Sequence, residues 1–361
     1  MSCEDIPLVQ IGGSITEGYF ATNKHAQGEL VADYLNAVFP GQVKFVNAGI
    51  AATGATFGAY RLEQDVLKHN PDLVIVEYAI NDSRDDIPAQ GAYEDIIRRL
   101  LGEDIAVIAL HNVQVYNNVM FAEGSATSHQ NIGFVYGLPQ ARAFSAYYGT
   151  SVYGYGEGMN YNEGDGVHPN DQGHNAVAVI VANLINYVMA DIENQPTESW
   201  DIPDAPMTRF GGYIDETATI YKSQDIEAGS APVTITGATY SATGNSVGNS
   251  DIVAGHNYAI YTIAKGETAT ITVSNATDIL PLVAATSGGA KAATYVVTDA
   301  EGNVLSEGTL SSYYNGALTV EKSRIIEGTR FYNGEAANIT VTITAVDGPV
   351  NLAGVLACVT G

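Results

Sequence analysis

Val9-Gln10-Ile11-Gly12-Gly13-Ser14-Ile15-Thr16-Glu17-Gly18 decides how the rest of the chain is read. The apolar run from Ile6 to Ile11 has the length and residue types of a buried strand. A Gly-Gly pair ends it, and a single hydroxyl follows at once. Glycines there let the backbone turn sharply and let a ligand approach the main chain. A serine just past the carboxyl end of a strand sits where open α/β sheets bind ligands. Alone, the stretch equally fits a Gly-rich turn with a helix-capping serine. The residues further along the chain decide between the two.

Working outward, the periodicity predicts a helix over His25 to Phe39, stopped by Pro40-Gly41, and a short strand over Val43 to Val46. That strand runs into Asn47-Ala48-Gly49-Ile50-Ala51-Ala52-Thr53-Gly54. A helix is expected from Ala59 to His69, then a near-continuous apolar strand from Leu73 to Tyr78 that delivers Ala79-Ile80-Asn81-Asp82. Glu77 interrupts that strand and reads as a paired or hydrogen-bonded core carboxylate. A helix near Ala92 to Leu101 and a strand from Ile105 to Leu110 follow, and His111 and Asn112 continue that strand as candidate cleft residues. A further helix is expected over Ser128 to Tyr136. Tyr147 to Tyr161 reads as a long loop whose aromatic rings suit sugar stacking and, equally, ordinary packing. Asp165-Gly166-Val167-His168-Pro169-Asn170 then leads into a last helix reaching about Asp191. Alternating strands and helices mean a parallel sheet with helices on both faces.

Residues 196–212, with Pro196, Pro203, Pro206 and Gly211-Gly212, read as a linker between domains 1–195 and 213–361. Beyond it, runs such as Val233 to Thr236, Thr268 to Val273, Ala293 to Thr298, Leu318 to Val320 and Asn338 to Thr344 alternate β-branched and polar residues. Short strands with such turns predict an all-β sandwich, jelly-roll-like in texture. The turn Asp299 to Asn303 has calcium-loop acidity, although a hairpin explains it without a metal.

The 361 residues carry 40 acidic and 15 basic side chains, a formal net charge of −25 at pH 7. That field repels nucleic acid and anionic membranes, so neither is expected as a partner. No apolar run in the sequence approaches a membrane span. No signal-like n-region and h-region precede Ile6, so the chain reads as cytoplasmic or as the mature part of an exported protein. Its Tyr, Gly, Thr and Asn content leans toward the exported form. Cys3 and Cys358 make no metal spacing, and a bridge between them has no support from their placement.

On a parallel sheet the strand-to-helix loops emerge on one edge, so Ser14, Gly49, Asn81, Asp165 and His168 can converge there. A serine hydroxyl is a weak nucleophile and needs a base such as His168, which Asp165 can orient. The backbone N–H groups of Ser14 and Gly49 and the Asn81 amide are the kinds of donor an oxyanion needs. Gly12-Gly13-Ser14, Gly49, Asn81 and Asp165-x-x-His168, in this order, resemble the four blocks of the SGNH (GDSL-type) hydrolases over roughly residues 5 to 193. The resemblance implies a flavodoxin-like three-layer α/β/α domain that hydrolyses esters or thioesters with no metal and no cofactor. It departs at Gly13, where the family usually has Asp, and that puts the stiffness of the Ser14 loop in question. The wording Gly-Gly-Ser-Ile-Thr-Glu-Gly and Asp-Gly-Val-His-Pro-Asn is similar to bacterial carbohydrate esterases of the family, so an acylated glycan is the expected substrate. A lipase or thioesterase is the alternative within that chemistry. A glycan-binding or adhesion protein with an inactive hydrolase domain is the alternative outside it.

Overall fold

The structure, a computed structural model, describes residues 5–39, 42–51, 53–82, 87–112, 114–116, 119–121, 126–143, 167–192, 218–242, 258–285, 292–311, 324–327 and 332–360. The expected loop 147–161, the linker 196–212, the strand at Leu318 to Val320, Asp165 and Cys3 lie outside them. The chain divides into two compact units, residues 1–214 and 215–361.

The first unit is built on five parallel strands. β1 (Ile6–Gly12), β2 (Val43–Gly49), β3 (Leu73–Glu77) and β4 (Ala106–His111) are separated by helices. β5 (Gln114–Tyr116) and β6 (Val119–Phe121) form a small antiparallel hairpin, and β7 (Gln140–Arg142) completes the main sheet in the order β2-β1-β3-β4-β7. This is the doubly wound flavodoxin order, whose topological switch point lies between β1 and β3.

Successive side chains of a strand point to opposite faces, so each face can be covered separately. Leu8, Ile75, Ile108 and Leu110 face α2 (Gln27–Val38) and the last helix of the unit (Asp171–Ile192), which contribute Val31, Leu35, Val177, Val181 and Ile185 to one core. α1 is the single turn Ser14–Glu17. α3 (Ala55–Tyr60) and α5 (Ile87–Gly102) pack together on the unit's other side with α6 (Ala126–Val135).

The helix expected over 59–69 is broken. It begins earlier, as α3, turns at Arg61 into the short α4 (Leu62–Asp65), and ends in a 3-10 turn at Leu67–His69. At this junction the Arg61 guanidinium is fully buried and bonds Gly12 O (3.1 Å), Tyr78 Oη (3.0 Å) and Asp65 Oδ2 (3.1 Å).

The last helix also departs from expectation. With a mean hydropathy of 1.3 over an 18-residue stretch within Asp171–Asp191, it is long and apolar enough to cross a bilayer by length and composition. Its apolar residues lie on two faces. Val177, Ala178, Val181 and Ile185 are buried in the core, whereas Val179, Tyr187 and Met189 are exposed.

The second unit is antiparallel. Its longest strand, Thr268–Ala285, exceeds the expected Thr268 to Val273 because bulges near Ala276 and Leu282 carry pairing past residues that break the alternation. The first half pairs with Tyr332–Ala345 and Val233–Thr236, and the second half with Val350–Val359 and Arg324–Glu327. A strand that changes neighbours half-way is a sandwich device, and Ile271, Val273, Ile279, Val283, Ile339, Val341 and Val355 fill a single core. In the Asp299–Asn303 turn the Asp299 carboxylate accepts the backbone N–H groups of Glu301 and Asn303 and the Asn303 side-chain amide, so the turn itself occupies that carboxylate. Cys358 is buried in Val350–Val359.

Candidate active site

Ser14 opens α1 directly after β1, at the switch point of the sheet. It is 4% exposed, and its Oγ lies 2.7 Å from His168 Nε2. The imidazole is delivered by a turn before the last helix. There Asn170 acts as a cap, its Oδ1 accepting the Gly173 N–H (3.0 Å). The His168 ring rests against Tyr19, with centroids 4.5 Å apart, and Phe20, at 5.8 Å. The loop carrying these rings is tied to the same helix, because Asp171 accepts both the Thr22 N–H (2.7 Å) and the Thr22 hydroxyl (2.6 Å). His174, one turn further along, accepts the Gln27 N–H at Nδ1 (3.3 Å), and burial pushes its pKa down to about 4. It is therefore neutral at pH 7.

Asn81 follows β3 across the switch point. Its side chain lies over the nucleophile turn, where a Cβ built on Gly13 would come 2.0 Å from Asn81 Oδ1. The glycine in place of the family's aspartate is what makes room for this amide.

The neighbouring Asp82 is buried. Its Oδ1 accepts the Ala55 N–H (2.9 Å) and its Oδ2 meets His129 Nε2 at 3.1 Å. His129 is stacked on Tyr93, with centroids 3.7 Å apart, and burial holds its pKa down at about 3. The Asn81 turn is thus fixed to α3, α5 and α6.

Two sequence expectations are corrected. The Gly49 N–H donates to Asn47 Oδ1 (2.9 Å), so it is engaged within its own turn rather than offered to an oxyanion. Gly49 is required for packing, since a Cβ there would sit 2.2 Å from the Glu17 backbone nitrogen. His111 and Asn112 were expected to line the cleft, yet both are 1% exposed. His111 Nε2 bonds Gln140 Oε1 (2.9 Å), and burial pushes its pKa down to about 3. The Asn112 side chain lies beside that of Glu77. The physical reason is β7, too short to be seen in the sequence, which covers the end of β4.

Beneath the site Glu77 is fully buried and is reached by the Thr16 hydroxyl at 3.4 Å. Burial pushes its pKa up to about 8 against the opposing effect of the Asn112 and Thr16 side chains. Sequence reading missed Arg61, the Asp82–His129 pair and the Tyr19-Phe20 wall. Their partners are distant in sequence, and only the adjacency of Asp82 to Asn81 was a usable signal. Asp165 lies outside the described residues. Among the described residues, no group of three or more His, Cys, Asp or Glu side chains could hold a metal ion.

Residues 11–176 match the sequence profile of the GDSL-like Lipase/Acylhydrolase family. The N-terminal unit belongs to that family. Membership makes it a hydrolase of carboxylic esters. No curated protein matches the chain. Among solved structures, a two-domain esterase (CEX) active on acetylated mannans, co-crystallized with mannopentaose, aligns with 100% of this chain and 92% of its own, at 23% identity and a TM-score of 0.73. A second crystal structure, described as the same two-domain esterase, aligns with 99% and 92%, at the same identity and TM-score. A catalytic mutant of Axe2, an acetylxylan esterase from Geobacillus stearothermophilus, aligns with 51% of this chain and 96% of its own, at 19% identity and a TM-score of 0.43. At these identities the likeness to CEX is one of fold. For a GDSL-like enzyme the notable local departure is Gly13, whose place against Asn81 has a structural reason.

Proposed function

We propose that the GDSL-like unit is a serine esterase that removes acetyl or other short acyl groups from a carbohydrate through an acyl-enzyme intermediate. The 2.7 Å contact between Ser14 Oγ and His168 Nε2 carries this reading. Ser14 Oγ attacks the acyl carbonyl carbon while its proton passes to Nε2. The tetrahedral oxyanion is held by the Ser14 N–H, which has no intrahelical acceptor at the start of α1, and by the Asn81 amide. Collapse breaks the bond to the sugar oxygen, and Nε2 returns the proton to that oxygen. Water then repeats the sequence on the acyl-Ser14 ester, releasing the carboxylic acid and restoring Ser14. Asp165, three residues before His168, is assigned to Nδ1 as the group that orients the ring and stabilises its charge.

A glycan substrate is supported by the full-length match to an esterase active on acetylated mannans. It is also supported by segments such as Ala51 to Gly58, rich in small and hydroxylated residues that suit sugar hydroxyls better than alkyl tails. Burying a long acyl chain needs an apolar trough, at about 0.8 kcal/mol for each methylene.

The test has two parts. Ser14→Ala is expected to abolish ester hydrolysis with the fold intact, and His168→Ala to be nearly as severe. For the unaltered chain, kcat/KM is expected to fall steeply from acetyl to butyryl to octanoyl esters, with acetate released from an acetylated glycan. A level or rising series from C2 to C8, with no acetate from any glycan, would favour a lipase instead.

A further inference from the structure

We infer that Phe20 is a sugar-binding platform, its ring receiving a face of the pyranose that carries the acyl group at Ser14. This rests on the glycan-esterase reading and adds to it a binding residue and the chemistry that residue recognises.

The backbone is the first observation. Phe20 has φ +66°, in the left-handed region. The other described non-glycine residues with positive φ are Asn23, Asn70, Asp104 and Asn275, types whose short polar side chains tolerate that conformation. A bulky aromatic residue there is an outlier, of the kind that clusters at ligand clamps.

Burial is the second. A strained aromatic residue is ordinarily repaid by packing, yet Phe20 is 42% exposed. Part of the ring is therefore presented to solvent next to the catalytic pair, with its centroid 5.8 Å from that of His168 and 4.5 Å from that of Tyr19.

Rigidity is the third. Gly18, also left-handed at φ +87°, ends α1 just before this segment, and the Tyr19 N–H donates to Ser14 O (2.9 Å). Two residues beyond Phe20, the Thr22 clamp on Asp171 fixes the loop to the helix that His168 precedes. The ring is thus held relative to both Ser14 and His168. A pyranose face, with its patch of C–H groups, stacks on such a ring, whereas the acyl group alone has no ring to offer it.

The full chain and its Phe20→Leu, Phe20→Asn and Phe20→Tyr variants should be compared on acetylated manno- and xylo-oligosaccharides and on p-nitrophenyl acetate. The readout is the ratio of kcat/KM on the oligosaccharide to kcat/KM on the small ester. Leu and Asn are expected to lower that ratio roughly three- to tenfold, chiefly through KM, while Tyr keeps it. Asn tolerates the left-handed backbone, so Phe20→Asn should not melt earlier than the unaltered protein even as it loses glycan preference. Equal losses on both substrates would overturn the proposal and leave Phe20 a prop for His168, and an unmoved ratio in Phe20→Leu would overturn it too. An unaltered chain that cleaves p-nitrophenyl acetate but frees no acetate from either oligosaccharide fails the glycan reading, and the platform with it. A glycan-active chain with an insensitive ratio fails the platform alone.

Discussion

Gly13 shows how a single missing carbon can make room for a neighbouring side chain. Its Cβ position is already filled by the Asn81 amide, which lies 68 residues away in sequence but over the Ser14 turn in space. Gly13→Ala must therefore displace Asn81. Loss of one oxyanion donor typically costs about 10²–10³ in rate, and Gly13→Ala is expected to approach that loss in kcat with a smaller change in KM. Asn81→Ala should cost a similar amount alone and little more when added to Gly13→Ala, because both changes remove one interaction. Full activity in Gly13→Ala would remove Asn81 from the oxyanion role. At this scale the meeting of Ser14 with His168, and of Asn81 with the Ser14 turn, was legible, because each residue sits in a short sequence block at a strand or helix end. Gly13 was read as a departure that loosens the loop, since its partner could not be seen from the chain alone. Gly49 was misassigned for a related reason. A glycine after a strand fits a donor and a close backbone approach equally well, and the contact with Glu17 decides for the second.

Among the elements, β3 brings a carboxyl group into the interior directly beside the nucleophile strand, with Glu77 in register with Gly12. Unfolded, such a carboxyl ionises near 4.5; folded, it keeps its proton to about 8. Between those values the unfolded chain binds fewer protons than the folded one, so this group lowers stability as pH rises from about 4.5 to about 8. Glu77→Gln removes that linkage. Its urea midpoint, relative to the unaltered protein, is expected to rise progressively from pH 4.5 to pH 8 and then level off. Parallel stability curves for the two proteins would mean that Glu77 ionises normally. The central apolar strands were readable because buried parallel strands are nearly continuous in Val, Ile and Leu. The break at Arg61 was not, since the sequence 59–69 keeps a helical rhythm through it. Strand Gln140–Arg142 was missed because three residues carry no period.

For the molecule as a whole, the change of texture beyond residues 196–212 signalled an antiparallel unit following an α/β one, and that is the fold class observed. Ser14, Asn81, Asp165 and His168 all fall in the unit 1–214. A chain ending at residue 214 is expected to fold and to retain hydrolysis of p-nitrophenyl acetate, measured against the full-length protein at equal active-site concentration. Failure to recover a folded, active fragment would mean that the first unit depends on the second. The long bulged strand of the second unit was legible only in part. Thr277, Asp278 and Pro281 interrupt the alternation that marks a strand, although pairing runs through them.

That strand also governs when the second unit can form. Val233–Thr236 is made before it, but Thr268 also pairs with Thr344 and Ala276 with Val359, so these later partners leave the ribosome 76 and 83 residues after their pairing residues do. Until then one edge of the strand stays unpaired, and the apolar side chains of Ile279 and Val283 await the strands that cover them. Long-range pairing of this kind is slow and leaves a nascent chain open to edge-to-edge association. Chaperone demand during synthesis should therefore fall on residues 268–285, in the half of the protein that holds none of the proposed catalytic residues.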